Sequence, residues 1–274
     1  MKTISNVNTG ALDDVLSIYR KKQVREILLK FTFSLIFAFL MWISANSFVY
    51  LPFTPVPMTM QVLTALIAPF FIGSCWAVFS QITYISLGLA GLPVFSGFKS
   101  GIAAITGPTG GYILGFIAAG FVTGYICSVL KTKNSSLNSA ALKNHYHNNS
   151  NDDDNNKNKN ENNNKNNVVF NNINNKFLDS RNLLEINDLA INENNENIDK
   201  KAQITFIACL SGLAVIYIFG FLHLLGYLSA FGGGTGLKEL AFKTFKLGIQ
   251  PFIIVDLLKI TIIVNILGIF GIRN

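Results

Sequence analysis

The sequence predicts an all-α membrane protein with six transmembrane helices and a polar, Asn-rich insert between helices four and five. Three observations predict it. Half of the 274 residues are hydrophobic and only 14% are charged, whereas a soluble domain carries about a quarter charged residues. The apolar residues gather into runs that are mostly long enough to cross the roughly 30 Å of bilayer hydrocarbon. The charges gather elsewhere: ten acidic and ten basic residues fall within 131–201 and cancel. The net charge of +7 therefore does not describe a nucleic-acid partner. The remaining bases cluster at Arg20, Lys21, Lys22, Arg25 and Lys30, which flank the first apolar run, as basic residues do on the cytoplasmic side of a span, and no nucleic-acid motif accompanies them.

The chain divides into a cytoplasmic N-terminal tail (1–26), transmembrane helices one to four (27–130), the insert (131–201) and transmembrane helices five and six (202–274). The tail is polar with a basic end and lacks the apolar core and small-residue cleavage site of a secretory signal. An organelle-targeting role is the alternative, and Asp13 and Asp14 count against it. The first span covers 27–49, with Ser34 and Ala38 as a small pair that lets another helix approach, from this chain or another. Residues 50–57 carry Pro52, Pro55 and Pro57, which forbid regular helix and leave a rigid, extended link. The second span, 59–72, is short and opens on Thr59 and Gln61. The pair Gly73-Ser74 ends it, and a third span follows over 75–89 with Gln81, Thr83 and Tyr84.

The loop 91–109 mixes Gly and Pro with Phe95 and Phe98. Such backbone at membrane depth needs protein or a cavity to cover it. It is not a phosphate loop, because no Gly-Lys-Ser/Thr ending is present. The fourth span, 110–130, offers Gly111, Gly115 and Gly124 as packing positions. Asparagine makes up roughly a third of 134–199; with so little to bury, this insert is expected to be disordered, with a short helix near 179–190 as the one candidate element. The fifth span covers 203–225. Within the connector that follows, 237–246 places Leu237, Leu240, Ala241 and Phe245 on one face, as an interfacial helix does. The sixth span covers 248–270. Cys75, Cys127 and Cys209 each stand alone in an apolar run, so neither a disulfide framework nor a zinc site is indicated. No metal or cofactor is expected. His145 and His147 lie in the insert, and His223 in span five reads as a packing histidine.

Asp256 is the only acid within an apolar run of membrane length, and Lys259 the only base well inside one. A charge in hydrocarbon costs roughly 2.5–3.5 kcal/mol even on insertion scales, and the i, i+3 spacing puts both side chains on one helix face. With the basic tail inside, six spans leave the insert and C-terminus inside, and 50–58, 90–109 and 226–248 outside. Asp256 then lies about eight residues into span six, roughly 10–12 Å below the outer surface. Gln61, Thr59 and Tyr112 begin their spans on the same side. Polar groups converging under three unusual loops describe a small-molecule pocket. They do not form the continuous line of charges that a proton pump needs.

Four stretches, Val56-Pro-Met-Thr-Met-Gln61, Gly88-Leu-Ala-Gly-Leu-Pro-Val-Phe95, Gly107-Pro-Thr-Gly-Gly-Tyr112 and Gly248-Ile-Gln-Pro-Phe-Ile-Ile-Val-Asp-Leu-Leu-Lys259, resemble the BioY family. Its members are the biotin-binding S components of energy-coupling-factor (ECF) transporters. The resemblance touches nearly every span in order, with the insert added. It implies an S-component-like six-helix fold and a biotin pocket near the outer surface, in a multi-pass protein of the plasma membrane or, alternatively, an organelle membrane. It implies substrate-binding roles for Asp256, Lys259, Gln61, Phe95, Gly97 and Tyr112. Asp256 would accept bonds from the ureido N–H groups. Lys259 would meet the carboxylate of biotin or hold Asp256 charged. Family members often carry an Asn shortly after Pro-Val-Phe, where Ser96 and Gly97 stand here. The resemblance also implies membrane lipids as surroundings, and an ECF coupling protein with two ATPases as partners, docking on the small residues of helix one. Binding of another carboxylated vitamin is the alternative. An intramembrane enzyme using Asp256 would need a second catalytic group, and the spans supply no paired carboxylate or Ser/His arrangement.

Overall fold

The computed structural model describes the backbone of residues 9–152, 167–231 and 236–269, and side chains over 16–133, 198–230 and 236–269. Eight helices and one two-stranded ribbon follow in the order α1 (Thr9–Asn46), β1 (Phe48–Val49), β2 (Met58–Thr59), α2 (Gln61–Ile72), α3 (Ser74–Leu89), α4 (Ile102–Thr106), α5 (Gly110–Asp152), α6 (Asn167–Phe231), α7 (Leu237–Gly248) and α8 (Ile253–Ile269). Among the described residues, three stretches are long and apolar enough to cross a membrane: Leu16–Asn46, Gly110–Lys133 and Ile198–Ala230. The bent pair α7 and α8 makes a fourth candidate. The chain is an integral, multi-pass membrane protein. The six expected spans correspond to α1, α2, α3, α5, α6 and α8. Of these, α2, with 12 residues, is only roughly 18 Å long. The strand β2 leads directly into it.

By backbone proximity the chain falls into two units, Met1–Ile126 with Phe206–Ile272, and Cys127–Thr205 with Arg273–Asn274. In the second unit the described backbone is helical. Helix α5 is described to Asp152 and α6 from Asn167, which takes in 179–190; residues 153–166, the centre of the insert expected to be disordered, lie outside the described residues.

In the first unit, α1 packs against α2 and α3, and α2 against α8. The small pair on α1 is used inside the chain: Ser34 and Ala38 are buried, and the Ser34 hydroxyl donates to the Trp76 carbonyl of α3 at 3.0 Å. This corrects the expectation of a partner-docking face at those residues, because α3 already occupies the close approach they allow. The opposite side of α1 exposes Ile36, Leu40 and Ile43. Helix α1 also starts at Thr9, so 9–26 continues the first span as helix. On α5, Gly111 and Gly115 face Phe219, His223 and Ile216 of α6, while Gly124 faces Ser74 of α3. The proline-rich link is the closed end of a hairpin, since Phe48 pairs with Thr59 and Val49 with Met58 in antiparallel register.

The sixth span departs from its expected course. It does not run unbroken from Gly248: α7 ends there, residues 249–252 form turns, and α8 starts at Ile253 at 45° to α7. Pro251 explains the break, because it lacks an amide hydrogen and its ring clashes with the preceding turn. Asp256 consequently lies in the first turn of α8 rather than two turns inside a continuous helix.

Candidate functional site

Residues from five helices, the hairpin and the loops after α3 and α4 surround one cavity with about 660 Å³ of atom-free space, its mouth included. Its wall joins Thr59 and Gln61 before and within α2, Phe95, Ser96 and Lys99 from the loop after α3, Tyr112 and Phe116 of α5, Tyr217 of α6, and Asp256 and Lys259 of α8. All of these belong to the first unit. Five of the six sequence-predicted site residues thus line one space. Gly97 does not.

Asp256 and Lys259 are each 3% exposed and form an ion pair, with Lys259 Nζ donating to Asp256 Oδ1 at 2.7 Å. The other carboxylate oxygen, Oδ2, accepts from the Tyr217 hydroxyl at 2.7 Å. Lys259 Nζ donates a second bond, to the Thr59 carbonyl, also at 2.7 Å. The helix N-terminus adds partial positive charge near Asp256, since amide dipoles align along the axis. The carboxylate is therefore held from two sides and still has lone pairs free, because each of its oxygens can accept more than one bond.

Gln61 is oriented rather than free. Its Nε2 donates to the Tyr84 hydroxyl at 3.0 Å, its Oε1 accepts from the Thr59 hydroxyl at 3.2 Å, and Tyr84 in turn donates to the Val94 carbonyl at 3.2 Å. Phe95 is fully buried, meets Tyr84 edge-on with ring centroids 5.6 Å apart, and lies where any side chain on Gly88 would overlap its ring. The Tyr112 hydroxyl donates to the Gly248 carbonyl at 2.8 Å, which ties α5 to the end of α7. His223 packs on α5 and places Nε2 2.9 Å from the Gly107 carbonyl.

The turn 95–99 explains Gly97. Phe95 and Lys99 exchange backbone bonds at 3.0 and 3.3 Å, and the chain turns through Gly97 (φ 76°) and Phe98 (φ 57°). Positive φ suits glycine. A side chain there would also meet the Tyr50 hydroxyl. Gly97 shapes the turn, and its neighbour Ser96 faces the cavity with a buried hydroxyl that has no partner.

Two contributors, Tyr217 and Lys99, escaped the sequence reading, and a third, Thr59, was read there for its polar side chain and not for its backbone. Tyr217 bonds the carboxylate, but a tyrosine in an apolar run carries no distinguishing signal. Thr59 acts through its carbonyl, and backbone groups leave no trace in a sequence. Lys99 lies in a loop, where a lysine looks like any exposed charge.

The BioY family model matches residues 18–145. This takes in the first three of the four motifs and stops short of Asp256 and Lys259. Biotin transporter BioY of Thermotoga maritima is 39% identical over 84 residues, 31% of this chain and 50% of that protein. A BioY relative from Pyrococcus horikoshii is 41% identical over 91 residues, 33% and 56% of the two chains. The chain spans about half the length of the curated relatives it matches. The crystal structure of the S-component for biotin from an ECF-type ABC transporter superposes with a TM-score of 0.54 at 17% identity, covering 92% of this chain and 93% of that one. The fold is thus that of an S component.

Proposed function

We infer that the chain is a member of the BioY family, and we propose that it binds biotin in the cavity above α8 and serves its transport across the membrane. The observation that carries this reading is the buried Asp256 carboxylate, fixed by Tyr217 and Lys259 with acceptor capacity left over. The ureido ring of biotin presents two N–H donors on a rigid, otherwise apolar bicycle. Each would form a charge-assisted bond to Asp256, roughly twice as strong as a neutral one. Val62, Ile113, Phe116 and Phe252 line the same cavity and suit the apolar remainder of the ligand. The unpartnered Ser96 hydroxyl offers a further bond close to where the family often carries Asn. Gln61 and Tyr112 would contribute side-chain contact, and Phe95 an apolar wall.

Likeness to an S component supports a role as the substrate-binding subunit of an ECF transporter, working with a coupling protein and two ATPases. The chain has no Walker A sequence of its own, so ATP hydrolysis would come from those partners. The exposed apolar side chains of the spans would meet membrane lipids. This is a binding and transport protein, not an enzyme.

Calorimetry on the purified protein tests the site. Biotin should bind the wild type, and Asp256→Asn and Lys259→Ala should each weaken it by at least about a hundredfold, since hydrogen bonds to a charged group are worth about 1.5–3 kcal/mol each. Unchanged affinity in both variants would overturn the site. Competition by other carboxylated vitamins identifies the ligand. Biotin uptake in cells lacking their own transporter, with and without a coupling module, tests the partnership.

A further inference from the structure

We propose that Lys99 is the residue that selects an anionic ligand, meeting the ligand's carboxylate at the mouth of the cavity. This rests on the reading of the cavity as the biotin site and assigns the pole of the ligand which that reading leaves open.

The charges of the cavity wall carry the inference. Three charged side chains line it: Asp256, Lys259 and Lys99. The first two neutralise each other as an ion pair. Lys259 is further committed to the Thr59 carbonyl, so two of its three donors are in use. The net formal charge of the wall is therefore +1, and it resides on Lys99. Among the described residues Lys99 has no ion-pair partner, and it is exposed while the other two are buried.

Lys99 is exposed whereas Asp256 is buried, so this charge lies on the solvent side of the cavity wall. Lys99 closes the turn 95–99, whose backbone bonds to Phe95 fix its base. The turn is anchored in turn to α1, because the Phe98 amide donates to Asn46 Oδ1 at 3.0 Å. A non-glycine residue at positive φ, as at Phe98, is disfavoured, and the bond to Asn46 accompanies it. The rim is thereby held in place while the four-carbon lysine stem stays mobile. Biotin carries its carboxylate at the end of a chain that leads away from the ureido ring. With the ring on Asp256, a carboxylate beside the same residue would meet like charge in a poorly screened space. The mouth, with one uncompensated base, is where that group belongs.

The test compares biotin with biotinol, the alcohol that lacks the charge, by calorimetry on wild type, K99R, K99Q and K99E. The wild type should prefer biotin by about tenfold or more, the size of a partly exposed charge-assisted contact, and raised salt should shrink the preference. K99R should keep it, K99Q should bring the two affinities within about twofold of each other, and K99E should invert the order. Biotinol affinity shows directly that each variant still has a working pocket. A K99Q protein that keeps the wild-type preference overturns the assignment to Lys99 and leaves biotin binding standing. A wild type that binds neither compound overturns both.

Discussion

A single carboxylate in an apolar helix becomes tolerable through its immediate partners. Asp256 has an ammonium on one oxygen, a phenol on the other and a helix N-terminus beneath it. Breaking such a buried pair costs about 3–5 kcal/mol, because the surviving charge is left uncompensated. Tyr217 can be tested without that penalty. Tyr217→Phe removes one donor and leaves a buried acceptor short, which costs about 1–3 kcal/mol. The expected result is a lower thermal midpoint and biotin affinity weakened by roughly tenfold or more. Wild-type affinity in this variant would remove Tyr217 from the site. The charged pair was legible in the sequence because a charge in an apolar run contradicts its surroundings. Gln61 and Tyr112 were legible for the milder reason that they open spans on one side. Tyr217 contradicts nothing, since tyrosine is at home in a membrane helix. Gly97 was legible as a special position, but the pattern of residues could not say whether glycine was there for a ligand or for a turn.

At the scale of elements, the elbow between α7 and α8 decides where the carboxylate sits. Two bonds from distant segments hold it: Tyr112 to the Gly248 carbonyl at 2.8 Å and Thr54 to the Leu247 carbonyl at 2.7 Å. Thr54 lies in the proline-rich link and does not line the cavity. Thr54→Val keeps the shape and removes the hydroxyl, which also accepts from the Val56 amide at 3.2 Å. Stability should fall by about 1–3 kcal/mol, and biotin affinity should fall severalfold although no ligand contact has changed. A loss of stability with biotin affinity untouched would mean that the elbow does not set the site. Hydropathy locates apolar helices well, and it found α1, α5 and α6. It does not register a proline's effect inside an apolar run, so the reading carried span six straight through Pro251. The ribbon of β1 and β2 escaped for a similar reason: two residues per strand are too few for a period to declare itself.

For the molecule as a whole, every residue lining the cavity belongs to the unit formed by Met1–Ile126 and Phe206–Ile272. Replacing 134–197 by a short flexible linker should therefore leave biotin affinity within about twofold of wild type, because closing a shorter loop changes its entropy only slightly. A large loss on calorimetry would give the insert a part in binding. The family resemblance and the fold were legible as a whole because several short motifs occur in one order, while each alone is weak. The insert separates the fourth span from the fifth, and the family-model match ends within it, at residue 145. The C-terminal motif consequently rests on the geometry that brings it to the other three.

The bond from Lys259 to the Thr59 carbonyl has a consequence for how the protein is made. It joins positions 200 residues apart in the chain. A ribosome that has released α1, α2, α3 and the first part of α5 has delivered Gln61, Phe95, Ser96, Lys99 and Tyr112, and neither member of the ion pair. Tyr217 comes next, still without the group it orients. Helix α8, which follows them, supplies the one acid that lines the cavity and the base that neutralises it, already one turn apart. On the proposed reading, binding would thus begin only once α8 has emerged: a copy truncated before it would carry most of the pocket wall and lack the charged pair.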